Sequence, residues 1–223
     1  MVTEVHLGRY VCVTADRTVT AMRARELGRR SVVVGDQVAL VGDLSGGPDA
    51  LARIVRVGER RSVLRRTADD DESTPEGRVE RVVVANADQL VVVSALVDPP
   101  PRTGFIDRCL VAAYDAEIDP LLCLTKADLL AAGDDSALAL LRDYYAALDL
   151  PHVLCRPDRP LDELVAALRG RMSVLVGHSG VGKSTLVNRL VPDAARAVGA
   201  VSAVGRGRHI SSSAVALPLP GSE

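Results

Sequence analysis

Two short stretches of this chain carry residue types and spacings suited to chemistry on a nucleotide. The first is Gly177-His178-Ser179-Gly180-Val181-Gly182-Lys183-Ser184-Thr185, in which two glycines five apart are followed by Lys and Ser. Glycines so placed let successive backbone N–H groups turn inward around phosphate oxygens, and a helix behind them adds its positive dipole end. All nine residues are candidate contacts. Lys183 would reach the outer phosphates and stabilise charge during transfer, and the Ser184 hydroxyl would ligate Mg²⁺. A glycine-containing turn can match the same pattern by chance, so context decides. Here the apolar run Met172-Ser173-Val174-Leu175-Val176 comes before it as a buried strand, and Thr185-Leu186-Val187-Asn188-Arg189-Leu190 follows with helical spacing. Strand, glycine loop and helix together predict a nucleoside triphosphate site.

The second stretch is Thr125-Lys126-Ala127-Asp128, directly behind the apolar Leu121-Leu122-Cys123-Leu124. A carboxylate in such a turn accepts hydrogen bonds from guanine N1–H and the 2-amino group together. Adenine has no 2-amino donor and an acceptor at N1, so it would leave the carboxylate unpaired at a cost of several kcal/mol. The Lys126 stem would lie along the base plane and Thr125 would pin the loop. Four residues also describe a charged turn that merely opens a helix. At the carboxyl end of a buried strand, in a chain with a phosphate loop, they predict guanine recognition.

The elements that must position these residues follow from composition and pattern. The chain has 223 residues, 48% hydrophobic and 25% charged, with 2% aromatic and no Trp, so its cores must be built from Val, Leu, Ala and Ile. No apolar run follows a basic start near the N-terminus, and no apolar stretch approaches the roughly 18 residues of a membrane span. The expectation is a cytoplasmic chain with no signal peptide and no membrane partner. Cys12, Cys109, Cys123 and Cys155 are scattered among apolar neighbours without a CxxC pair, which reads as buried free thiols rather than a zinc site. Residues 1–68 carry twelve Arg against seven acidic residues, about +5, while the whole chain is −2. That asymmetry points to a polyanion as partner of the N-terminal third.

Short strands at 7–14, 18–24, 37–41, 51–57 and 62–66, separated by Gly-Asp and Ser-Gly-Gly-Pro turns, predict an all-β barrel at 1–68, with the OB-fold as the expected form. Arg60, Arg61, Arg65 and Arg66 are its candidate RNA contacts. Tyr10 is the one aromatic residue available there for base stacking. The alternative is a solvated basic face on a barrel with another purpose. Residues 69–80 read as an acidic linker. From 81 to 223 strands alternate with helices, predicting an α/β P-loop domain with a mostly parallel sheet. Strands fall at 89–97, 121–124 and 152–155, and helices at 103–116, 134–148 and 161–168. The base-reading turn lies about fifty residues before the phosphate loop. Ordinary GTPases have the reverse order.

That permuted order behind an Arg-rich barrel resembles the RsgA (YjeQ/EngC) family of circularly permuted ribosome-biogenesis GTPases. Val33-Val34-Gly35-Asp36 is similar to the family's barrel signature, Ala85-Asn86-Ala87-Asp88-Gln89 to the entry of its GTPase domain, and Ile106-Asp107-Arg108-Cys109-Leu110 to its first helix. Gly205-Arg206-Gly207-Arg208-His209, followed by Ser211-Ser212-Ser213, looks like its switch segment. The resemblance implies a monomeric GTP hydrolase acting late in maturation of the 30S ribosomal subunit, with its barrel on 16S rRNA and with GTP and Mg²⁺ bound. It implies Ser211 or Ser212 as a second Mg²⁺ ligand. His209 would touch the attacking water or RNA, or is a solvated loop histidine. The family's Ser-Ala loop on the far side of the base is replaced by Cys155-Arg156-Pro157. Its Asp-x-Pro-Gly turn and its Cys/His zinc module are not found before Glu223, so the chain is expected to be truncated and to turn GTP over weakly. Two other readings stand beside hydrolysis: a non-catalytic, GTP-dependent RNA-binding module, and a P-loop ATPase or kinase.

Overall fold

Alternating apolar residues in the first 57 positions fold into a five-stranded sheet: β1 (Val2–His6), β2 (Arg9–Val13), β3 (Thr18–Arg23), β4 (Val38–Gly42) and β5 (Ala52–Val57). The strand order is β1-β2-β3-β5-β4, with β3 and β5 parallel and the other pairs antiparallel. Val2, Cys12, Val19, Ala21, Ala52 and Ile54 point inward into one core. The Val2 N–H donates to the Asp36 carbonyl at 2.8 Å and the Gly35 N–H to the Val2 carbonyl at 2.9 Å, which seats the entry to β4 against β1 and closes the barrel. The result is the expected OB-type barrel built from a different set of five strands. The reading that began at residue 7 missed β1. Tyr10, expected as a stacking platform, is 3% exposed and belongs to the core.

The computed structural model describes residues 1–221 apart from 7, 29–31, 67–80, 132, 133, 193 and 195–213. These fall into two units: Met1–Asn86 with 214–217, and Ala87–Ala194 with 218–221. In the first, the strand expected at 62–66 lies outside the five-stranded sheet. It forms β6 (Val63–Arg66), paired antiparallel with β7 (Arg81–Ala85) as a separate ribbon. The residues after the acidic stretch, read from sequence as the start of the second domain, therefore group with the barrel.

A buried carboxylate organises this unit. Asp36 is fully buried; it accepts from Arg60 Nε at 2.7 Å and from the Val33 N–H at 2.8 Å. The carboxylate in turn raises the Arg60 guanidinium above its ordinary pKa. Asn86, at φ 58°, donates to the Gly35 carbonyl at 3.0 Å and accepts from the Arg61 N–H at 2.8 Å, locking 60–62 beside the barrel. Arg60, proposed from sequence as an RNA contact, is thus committed to an internal ion pair. Truncating it would strand a buried charge, so Arg60→Ala should lower unfolding free energy by about 3 kcal/mol, read as an earlier midpoint in urea denaturation. An unchanged midpoint would show the pair to be dispensable.

The second unit alternates strictly: β8 (Gln89–Ala95), α1 (Thr103–Asp115), β9 (Asp119–Thr125), α2 (Ser136–Tyr144), β10 (His152–Leu154), α3 (Asp162–Leu168), β11 (Ser173–Val176) and α4 (Lys183–Leu190). Its sheet runs β10-β9-β8-β11, with every pair parallel. All seven residues of β8 are buried, as its unbroken apolar run requires of a central strand. Val91, Val93, Leu121 and Cys123 pack on one face with Leu164, Leu168, Leu186 and Leu190 of α3 and α4. Leu122 and Leu124 face the other way, toward Leu138 and Leu141 of α2. Asp88 holds the entries of β8 and β11 together: its N–H donates to the Met172 carbonyl at 2.8 Å, and its carboxylate accepts from the Met172 N–H at 2.8 Å. Among the described residues no helix is long and apolar enough to cross a membrane.

Candidate nucleotide-binding site

Because β9 and β11 run parallel on either side of β8, the turns that follow them emerge at the same edge of the sheet. Ligands of open α/β sheets bind at that carboxyl edge. The phosphate loop, residues 177–182, joins β11 to α4. Gly177 passes so close to β8 that a Cβ there would lie 2.7 Å from the Val93 carbonyl oxygen. Gly182, at φ 86°, forms the N-cap of α4, and no side chain caps that helix. The first-turn N–H groups are therefore left for an anionic ligand. Lys183 and Ser184 open the helix; Ser184 is exposed, and Leu186 and Leu190 anchor α4 in the core.

The turn behind β9 is built against this loop. Thr125 is 6% exposed, and its Oγ1 donates to the Val181 carbonyl at 2.6 Å. One hydroxyl thus fastens the turn after β9 to the phosphate loop, across a sequence separation of 56 residues. Lys126 follows in the left-handed region, at φ 57° and ψ 28°, a conformation that a non-glycine residue holds only where its surroundings impose it. Its ammonium donates to the Asp98 carbonyl, which fixes the stem. Next comes the 3-10 turn Ala127–Leu129. There Asp128 Oδ1 is buried without a hydrogen-bond partner in the protein. A carboxylate oxygen in that state is costly unless a ligand supplies a donor.

A third wall was not legible in the sequence. Residues 96–105, after β8, contribute the Asp98 carbonyl to Lys126, and Pro99, whose Cδ would lie 3.8 Å from a Cβ on Gly180. Phe105 of α1 packs against His178 with ring centroids 4.0 Å apart and the rings tilted by 46°. His178 Nε2 is buried without a partner, and burial, reinforced by Arg102 and Arg108, holds its imidazole below the usual pKa. The available signal was the run Asp98-Pro99-Pro100-Pro101 at a strand end, but backbone carbonyls leave no mark on residue type.

The structure brings Thr125, Lys126, Asp128 and residues 177–185 together. Arg61 and Arg65 lie in the other unit. His209, Ser211, Ser212 and the Arg66 side chain lie outside the described residues. Among the described residues no group of three or more His, Cys, Asp or Glu could hold a metal. Ser184 can still serve Mg²⁺, which commonly binds through one or two protein oxygens, substrate phosphates and water.

Residues 57–223 match the model of the RsgA GTPase family. The chain is 35% identical to the small ribosomal subunit biogenesis GTPase RsgA of Chlorobaculum parvum over 99% of its own length and 73% of that protein. With the protein of the same name from Azotobacter vinelandii it shares 41% identity, over 86% of this chain and 53% of that one. Among solved structures it is similar to YjeQ from Thermotoga maritima, with a TM-score of 0.66 and 26% identity over 86% of this chain and 64% of that one. YloQ, described as a circularly permuted GTPase, has the same fold, with a TM-score of 0.61 at 23% identity. A turn at 125–128 before the phosphate loop, Thr125 fastened to Val181, and a family match over three quarters of the sequence agree: the chain belongs to the RsgA GTPase family.

Proposed function

We propose that this chain binds and hydrolyses GTP as a factor in biogenesis of the small ribosomal subunit, with its barrel on ribosomal RNA. The observation that carries the nucleotide reading is the buried, unpartnered Asp128 Oδ1, in a turn hydrogen-bonded to the phosphate loop. Guanine N1–H and the 2-amino group are the donors that oxygen lacks. Lys126, held against Asp98, lies alongside as the wall for the base. The loop amides, the uncapped start of α4 and Lys183 bind and orient the phosphates, and Ser184 holds Mg²⁺, which neutralises charge on the outer phosphates when bound. The named relatives support the ribosomal assignment, and the chain spans between about half and three quarters of their length.

Asp128→Asn tests the base. It turns one acceptor into a donor facing guanine donors, so GTP binding should weaken at least tenfold, about 1.4 kcal/mol, while xanthosine triphosphate binding improves. Unchanged GTP affinity, or equal competition by ATP against a fluorescent guanine nucleotide, would overturn the assignment. Phosphate release with and without 30S subunits then separates a hydrolase from a non-catalytic GTP-binding module.

Thr125→Val tests the coupling of the two turns. The substitution keeps the shape but leaves the Val181 carbonyl unpaired, a loss of about 1 kcal/mol. Nucleotide affinity should fall about fivefold, with the far-UV spectrum unchanged. Wild-type affinity would show that the turn positions itself without the phosphate loop.

For the barrel, exposure selects different arginines from those the sequence suggested. Cross-strand register aligns Arg9, Met22 and Arg53 on the outer face of β2, β3 and β5, and all three are exposed. If they meet RNA phosphates, the double variant Arg9→Glu/Arg53→Glu should weaken 30S association and reduce its salt slope by about two. GTP affinity should be unaffected. Undiminished association would remove this face from the interface.

A further inference from the structure

The nucleotide reading leaves two buried sulfur atoms unused. Cys123 on β9 and Cys155, just after β10, place their Sγ atoms 3.4 Å apart, and both are buried in the core beneath α3 and α4. The two backbones are hydrogen-bonded to each other: β9 and β10 are parallel neighbours with Val153 opposite Cys123, and the Cys155 N–H donates to the Leu124 carbonyl at 2.7 Å. The pair stands at the root of the base-reading turn. Thr125 is two residues beyond Cys123, and Arg156 follows Cys155 directly. The shared hydrogen bond sets the two thiols apart, lowering the Cys155 pKa and raising that of Cys123. Burial pushes Cys109 up to about 11 and also raises Cys12, so Cys155 is the thiol among the four whose pKa is held below its ordinary value.

We propose that Cys123 and Cys155 form a redox modification site, in which a peroxide closes a reversible disulfide that weakens guanine-nucleotide binding at the turn above. The second half rests on the GTP reading of that turn. In the first step the Cys155 thiolate attacks one oxygen of hydrogen peroxide. The O–O bond breaks, hydroxide leaves, and Cys155 becomes a sulfenic acid. The Cys123 sulfur then attacks the sulfenic sulfur, the S–O bond breaks, and the departing hydroxide takes the Cys123 proton as water. Two thiols have lost two electrons to one peroxide. A disulfide requires about 2.0 Å between sulfurs, so the pair must close by roughly 1.4 Å. β10 is an edge strand among the described residues, whereas β9 continues straight into Thr125 and Asp128. Because the Cys155 N–H is bonded to the Leu124 carbonyl, closure pulls on the residue directly before Thr125 and shifts Thr125 from the position at which it meets Val181. Displacements of this size at a binding constellation carry large penalties.

The test treats the full chain with hydrogen peroxide, maps peptides without reduction, and titrates a fluescent guanine diphosphate analogue before oxidation, after it, and after dithiothreitol. The expected result is a Cys123–Cys155 linked peptide and an about tenfold rise in Kd that dithiothreitol reverses. Cys155→Ala and Cys123→Ser, made separately so that one unstable variant does not end the test, should each bind as the reduced parent does and yield no Cys123–Cys155 linked peptide after peroxide. Cys109→Ala should respond as the parent does. Absence of the linked peptide, or the linked peptide with unchanged Kd, overturns the proposal. Failure of the reduced parent to bind the nucleotide overturns the GTP reading and with it the regulatory half, while the peptide map still decides the pairing.

Discussion

The hydrogen bond from Thr125 Oγ1 to the Val181 carbonyl is the constraint around which the second unit is arranged. It joins two turns that the sheet brings to one edge but that no covalent proximity holds in register. A hydroxyl on a branched β-carbon has little freedom, so the bond sets where Lys126 and Asp128 begin. Gly177 serves the same end from the other side, letting the loop lie against the Val93 carbonyl where any side chain would push it off. With both in place, the left-handed turn at Lys126 and the unpartnered carboxylate oxygen at Asp128 are local costs borne by a rigid frame, as expected where strain is retained for binding.

The barrel has its own fixed point. Asp36 is inaccessible to solvent and satisfied by Arg60 and the Val33 amide, so the residue types that looked like a basic surface are partly internal structure. The surplus positive charge of the N-terminal third is real, but its function follows exposure and register rather than sequence clustering. Arg9 and Arg53 come from strands far apart in sequence and share one row of the outer face through Met22.

What could be read from the sequence was what is local. The phosphate loop declares itself because strand, glycines and helix lie within about twenty consecutive residues, and the turn at 125–128 because it directly follows a buried strand. β8 was legible from an unbroken apolar run. β1 was not, because past Val2 its residues are only half-buried and alternate weakly. The ribbon β6–β7 escaped because its strands lie on either side of the acidic stretch, so 62–66 was read with the barrel and 81–85 with the α/β domain. Asp36–Arg60, Asp98–Lys126 and Cys123–Cys155 are separated by 24, 28 and 32 residues, so nothing in their neighbourhoods signals the partner.

The permuted order has a consequence for how the sheet is made. Ser173 of β11 pairs with Gln89 of β8, so the central strand gains this neighbour only after more than eighty further residues have been added. On a ribosome the chain arrives amino end first, and until β11 docks, β8 presents an apolar strand with one ladder unfilled, the kind of edge that invites pairing with other chains. The turn at 125–128 exists as sequence throughout that interval but lacks the Val181 carbonyl to which Thr125 bonds. High contact order of this sort slows folding, and here it means that the turn at 125–128 reaches its place beside the phosphate loop only when β11 docks.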